Sequence, residues 1–236
     1  MTGGLNGRLN VSAGSWEMLW SYLHRVLVLN LGLAVGGLPL IGGLALVSRP
    51  WDYPVFFIVL SWCLGPALAA AFGYLAAADD HDRASVASVA EFARAYRRHA
   101  LPAAGRWAVT TALLGVLVTD IALLHDSPAG AVLVPMLVLL AVLVLSAGLM
   151  SLALLTLRPG LHLWRGLATA AVVAVRRWPL TLLSLGVLGV AAVAVNQAPL
   201  LGLATVPGCA IILTWANSRI SASWDATGRH MLVTTR

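Results

Sequence analysis

Apolar residues gather into six long runs, at about 26–47, 55–78, 107–124, 131–157, 179–195 and 200–216, separated by shorter polar stretches. A hydrocarbon core about 30 Å thick needs roughly 20 helical residues to cross it, so each run predicts a membrane-spanning helix. Three other segments alternate at helical intervals. In 14–25, Trp16, Leu19, Trp20 and Leu23 recur every three or four residues with Glu17, Ser21, His24 and Arg25 between them. That pattern fits a helix lying at the interface with its tryptophans at headgroup depth. In 85–101, Phe92, Ala95, Tyr96 and His99 share one face and Arg94, Arg97 and Arg98 take the opposite one; in 163–178, Trp164, Leu167, Ala171, Ala174 and Trp178 share a face. The predicted fold is an all-α polytopic membrane helix bundle, a single integral membrane domain over 1–236 with six transmembrane helices and three interfacial ones.

Local signals mark where these elements begin, end and touch. Ser85, with Asp79, Asp80 and Asp82 just before it, is expected to cap the second interfacial helix, and Pro102 to end or restart that helix before Trp107 opens the third span. Pro39, Pro66 and Pro135 are expected to kink their spans. Gly32 with Gly36, and Ala69 with Gly73, sit four residues apart and predict close helix packing within the chain. "RRHALP" at 97–102 is echoed by "RRWPL" at 176–180, so spans two and three are expected to recur structurally as spans four and five.

Composition supports the membrane reading and charge orients it. Hydrophobic residues make up 60% of the 236 and charged ones 10%, with a mean hydropathy of +0.88, well beyond the roughly 45–50% apolar usage of soluble domains. All 15 basic residues are arginines. With six spans, Arg49 falls on one side and the other fourteen on the opposite side, which places both termini in the cytoplasm. The first long run begins near Val26 and exceeds a signal-peptide core, so it is expected to remain as a span. A net charge of +6 would raise nucleic acid as a partner of a soluble chain. Here membrane orientation accounts for the arginines, and nucleic acid is not expected.

Candidate chemistry is sparse. Cys63 and Cys209 lie in apolar runs and read as small hydrophobes. Asp120 is the clearest carboxylate inside a span, and Asn30 lies about one turn past Arg25; these two form the candidate intramembrane polar site, Asn30 by an interhelical hydrogen bond. "DDHD" at 79–82 offers carboxylates to a hard cation, but four consecutive residues do not converge as ligands, so no metal is expected. No HExxH, GxSxG or Walker pattern occurs, so neither an enzyme nor a cofactor is expected. The candidate contact residues for anionic lipid headgroups or a partner are Arg94, Arg97, Arg98, Arg106, Arg176 and Arg177.

"RVLVLNLGLAVGGLP" (25–39), "LGPALAAAFGYL" (64–75), "EFARAYRRH" (91–99) and "AVRRWPLTLL" (174–183) together resemble the YesL family of bacterial integral membrane proteins. In that family the Leu-Pro element runs almost directly into Gly-Pro-Ala, whereas here about 25 residues separate them. The resemblance implies a multi-pass protein of the bacterial cytoplasmic membrane that assists carbohydrate ABC importers. Its expected partners are the bilayer and ABC transporter subunits or a second copy of the chain. "FARAYRRHALP" also resembles the coupling helix of ABC importer permeases without its central glycine, which makes a divergent permease one alternative. An independent small-solute transporter or channel is the other, and it would need polar residues along a path through the spans.

Overall fold

A computed structural model describes residues 13–49, 52–80, 88–157, 160, 162–197 and 207–220, and these are helical with short connections. The helices are α1 (Ala13–Gly36), α2 (Leu38–Leu46), α3 (Pro54–Leu60), α4 (Leu64–Asp80), α5 (Val89–Leu124), α6 (Gly130–Leu157), α7 (Leu163–Arg176), α8 (Trp178–Gln197) and α9 (207–220). A 3₁₀ turn, Ser61–Cys63, joins α3 to α4. Four segments, Leu19–Gly36, Val55–Ala78, Val89–Leu124 and Gly130–Leu157, are long and apolar enough to cross a membrane, and a fifth results when α7 and α8, bent by 98°, count as one broken span. Many of their large apolar side chains point outward, among them Leu27, Leu31 and Val35 on α1 and Val132, Met136 and Leu139 on α6. In water such a surface would be a liability; facing lipid, it is the expected exterior of a membrane protein.

The core forms around α4, where Ala67, Ala69, Ala70, Ala71, Phe72 and Tyr74 are fully buried. Small residues let the neighbouring helices approach. A side chain at Gly36 would meet Ala67 of α4, one at Gly32 would overlap the Phe92 ring of α5, and one at Gly73 would press on Ala95 and His99. Phe72 stacks on Trp215 of α9 at 5.8 Å, and Tyr74 tilts against Phe92 at 6.2 Å. The two Gly/Ala pairs thus pack within the chain, as their spacing predicts.

Prolines sit at or near interruptions of the expected spans. Pro39 and Pro66 lie in the first turns of α2 and α4, where the missing N–H is not needed; the 26–47 run is divided just before Pro39, at Gly37, and the 55–78 run passes through the 3₁₀ turn Ser61–Cys63 just before Pro66. Pro102 does not end the second amphipathic helix; α5 runs through it for 36 residues. Packing on both sides carries the helix through: Ala95 and His99 lie against Gly73, Ala103 is buried, and Trp107 seats over Gly65 and donates Nε1–H to the Ser61 carbonyl at 3.0 Å. Pro179 does interrupt its helix. It cannot donate to the Val175 carbonyl, the chain turns at Arg177, and the Thr181 hydroxyl donates to the Ala174 and Arg177 carbonyls at 3.2 and 3.1 Å across the bend. The two arginine-ended units are therefore built differently, one continuous through its proline and one bent, unlike the expected repeat.

Helix ends also shift. α5 starts after Ser88, whose N–H donates to Glu91 Oε2 at 3.0 Å, half of a capping box; Ser85 and Asp82 lie outside the described residues, and Asp79 and Asp80 close α4. Segment 14–25 is not a separate interfacial helix: it is continuous with the first span in α1, its Trp16, Leu19, Trp20 and Leu23 all exposed. The run predicted at 26–47 is divided at Gly37 into α1 and the nine-residue α2. Part of the sixth predicted span, 200–206, falls outside the described residues, as do His81 and Asp82 of "DDHD".

Candidate functional site

Residues 98–106 of α5, the last turns of α6 and the start of α7 meet, and of the candidate arginines Arg98 and Arg106 border that junction. α5 presents two faces. Phe92 is buried against Gly32, and Ala95 and His99 rest on Gly73, while Arg94, Arg97 and Arg98 are exposed on the other side. This segregation agrees with the helical spacing of the sequence.

Arg106 is different. It was expected with the exposed arginines, but it is 2% exposed, and its Nη1 donates to the Ser151 carbonyl of α6 at 2.8 Å. Gly166 of α7 lies directly against it: a Cβ there would stand 3.1 Å from three guanidinium atoms. The spacing 92, 96, 99, 103, 106, 110 explains the burial, since steps of three and four keep Arg106 and Thr110 on the face of Phe92 once the helix continues through Pro102. The sequence carried that signal, and breaking the helix at Pro102 hid it.

α7 lies across this end of the bundle as a three-sided helix. Gly166, Ala170, Val173 and Ala174 face inward, Ala170 and Val173 clustering with Met150 and Leu154 of α6; Trp164, Val172 and Val175 are exposed and apolar; Arg165 and Arg176 occupy a third, exposed strip. Of the residues that the sequence places together on one face, Trp164, Leu167, Ala171, Ala174 and Trp178, Ala174 is buried, while Trp164 and Trp178 are 72% and 62% exposed. Small residues, not the tryptophans, make the inner contact, since only they bring α7 close enough to cover the Arg106 guanidinium. Arg177 occupies the bend between α7 and α8, half-buried.

A cavity of about 480 Å³ opens where these elements converge, bordered by Arg98, Pro102 and Arg106 of α5, Leu155 of α6, and His162 and Leu163 at the start of α7.

The intramembrane polar candidates do not come together. Asn30 is buried, and its Oδ1 accepts the Gly208 N–H at 2.6 Å, so it caps the first turn of α9 from α1. Asp120 is half-buried near the far end of α5. Sequence reading missed a third polar group between α6, α8 and α9. Ser146, Thr181, Ser184, Thr214, Asn217 and Ser218 border a cavity of about 30 Å³, and Asn217 Nδ2 donates to Ser184 Oγ at 3.0 Å. Its only sequence signal is hydroxyls and an amide at helical spacing in otherwise apolar runs. Cys63 Sγ donates to the Leu60 carbonyl at 2.9 Å and Cys209 is exposed; neither is in a disulfide.

Compared with protein-family models, with curated proteins and with solved structures, the chain gives no match.

Proposed function

We propose that this chain is a non-enzymatic multi-pass protein of the bacterial cytoplasmic membrane, with six spans and both termini cytoplasmic, acting as an accessory or assembly component of a carbohydrate ABC import system. The observation that supports it is the presentation of Arg94, Arg97 and Arg98. They are exposed on one face of α5 while Phe92, Ala95 and His99 anchor the other. A cationic row on a fixed helix loses little conformational freedom on binding and suits a docking surface for anionic headgroups and a partner subunit. The arginine distribution puts that row in the cytoplasm. The partner class comes from the resemblance to the YesL family. Affinity purification in mild detergent, followed by mass spectrometry, tests this reading. The unaltered chain should bring down an ABC ATPase and permease, and the Arg94→Gln/Arg97→Gln/Arg98→Gln variant should lose them at equal membrane abundance. Failure of the unaltered chain to recover either subunit removes the accessory role.

A second reading, an independent small-solute transporter or channel, draws support from the polar group around Asn217 and Ser184 within the bundle. Its cavity of about 30 Å³ admits little more than a water or two, so transport would require the helices to part. Solute flux by the purified chain in liposomes is the corresponding test.

A further inference from the structure

A cavity of about 550 Å³ lies between α1 and the start of α5. Leu31 and Val35 border it on α1, and Ala93, Tyr96 and Arg97 on α5. Of these, Leu31, Val35, Ala93 and Arg97 are exposed, so the space opens as a groove on the outside of the bundle. Along the chain it runs from Val28 past Gly36 to Pro39, about 16 Å at the helical rise per residue. That matches one leaflet, half of a hydrocarbon core about 30 Å thick. The apolar run 26–47 has its middle near Gly37, so the groove follows the half of that run that begins at Val26.

Leucine and valine on α1 suit a hydrocarbon tail, and Arg97 brings a charge to the rim of the same apolar space. Arg94 and Arg98 are exposed beside it on α5, whereas Glu91, the acidic residue of that stretch, accepts the Ser88 N–H. An arginine on the rim of a lipid-facing groove extends its head toward the headgroups, and its planar fork matches two phosphate oxygens at once. Tyr96 next to it carries the amphipathic ring that favours the same depth. We infer that this groove is a selective site for one anionic phospholipid, with an acyl chain between α1 and α5 and the phosphate on Arg97. The inference rests on the proposed function, in which the arginine row faces the cytoplasmic headgroups, and it adds a defined tail site to that surface attraction.

Native mass spectrometry of the full chain in detergent, titrated with phosphatidylglycerol or phosphatidylcholine, tests it. One saturable phosphatidylglycerol adduct is expected at concentrations where phosphatidylcholine gives none. Arg97→Gln should weaken it about tenfold, the loss of one charge-assisted contact, while Arg165→Gln, exposed on α7, should stay within about twofold. Val35→Trp and Ala93→Trp fill the groove from either side without altering charge, and each should weaken the adduct about tenfold as well. Both positions are exposed, so the bundle tolerates the larger side chains. An adduct that Arg97→Gln loses but both tryptophan variants keep assigns the lipid to the arginine row alone and refutes the groove. Equal binding of phosphatidylcholine refutes the selective site. A dimer that Val35→Trp disrupts, without a lipid adduct, gives the groove to a second copy of the chain and refutes it too, as does absence of any adduct. The titration uses the purified chain alone, so failure to recover ABC subunits removes the accessory role without deciding the lipid site.

Discussion

The backbone of Gly166 on α7 packs directly against the guanidinium of Arg106 on α5, leaving 3.1 Å for any added Cβ. Because the Ser151 carbonyl fixes that guanidinium, it has little room to retreat. Gly166→Ala is expected to cost about 1 kcal/mol and Gly166→Val more, up to about 3 kcal/mol, as over-packing. The cost should largely vanish in an Arg106→Ala background. A double-mutant cycle on thermal unfolding in detergent measures this coupling, and additive costs would show that the two side chains do not share the space.

Arg106→Ala itself removes a charge-assisted hydrogen bond and a buried volume. A loss of about 1–3 kcal/mol is expected, with a smaller loss for Arg106→Lys, which keeps the charge but not the fork. Chemical unfolding of the purified variants gives the comparison.

Asn30 and Gly208 are 178 residues apart and tie the first helix to α9. Asn30→Leu is expected to lower stability by about 1–2 kcal/mol, the range for an interhelical hydrogen bond inside a membrane protein. Gly208→Ala should cost at least as much, since its Cβ would come within 2.9 Å of Asn30 Oδ1 and the Val26 carbonyl. Proteolysis of the C-terminal segment in detergent should accelerate in both variants.

Phe92 anchors the arginine-bearing part of α5 in the notch at Gly32. Phe92→Ala is expected to cost about 3–5 kcal/mol, and Gly32→Leu to displace the ring altogether. If the arginine row acts as a fixed docking face, both changes should weaken partner recovery although they alter no charge. Partner recovery that tracked charge alone would separate anchoring from docking.

Much of the architecture was legible in the sequence because hydrophobic length and small-residue spacing act locally. The apolar runs at 55–78, 107–124 and 131–157 fall within segments long enough to cross a membrane, Gly32, Gly36 and Gly73 make the close approaches their spacing predicts, and α5 segregates Arg94, Arg97 and Arg98 from Phe92. What was not legible depended on tertiary contacts. Pro102 breaks a helix by local rules, but the packing of Ala95, Ala103 and Trp107 on α4 carries the helix through it, and that continuity decides the burial of Arg106. On α7 the inner contact at Gly166 and Ala170 is made by residues too small to stand out beside the tryptophans. The Ser184–Asn217 pair joins two runs 33 residues apart, a meeting no local pattern encodes.

Cysteine labelling in intact cells tests most directly the claim that the arginine-bearing end of the bundle faces the cytoplasm. With Cys63 and Cys209 replaced by alanine, single cysteines are placed at Asp126, between α5 and α6, and at Arg97, both exposed. A membrane-impermeant maleimide should label Asp126→Cys in intact spheroplasts and Arg97→Cys only after the membrane is opened. The reverse order, or labelling of both from the same side, would contradict the orientation on which the docking face depends.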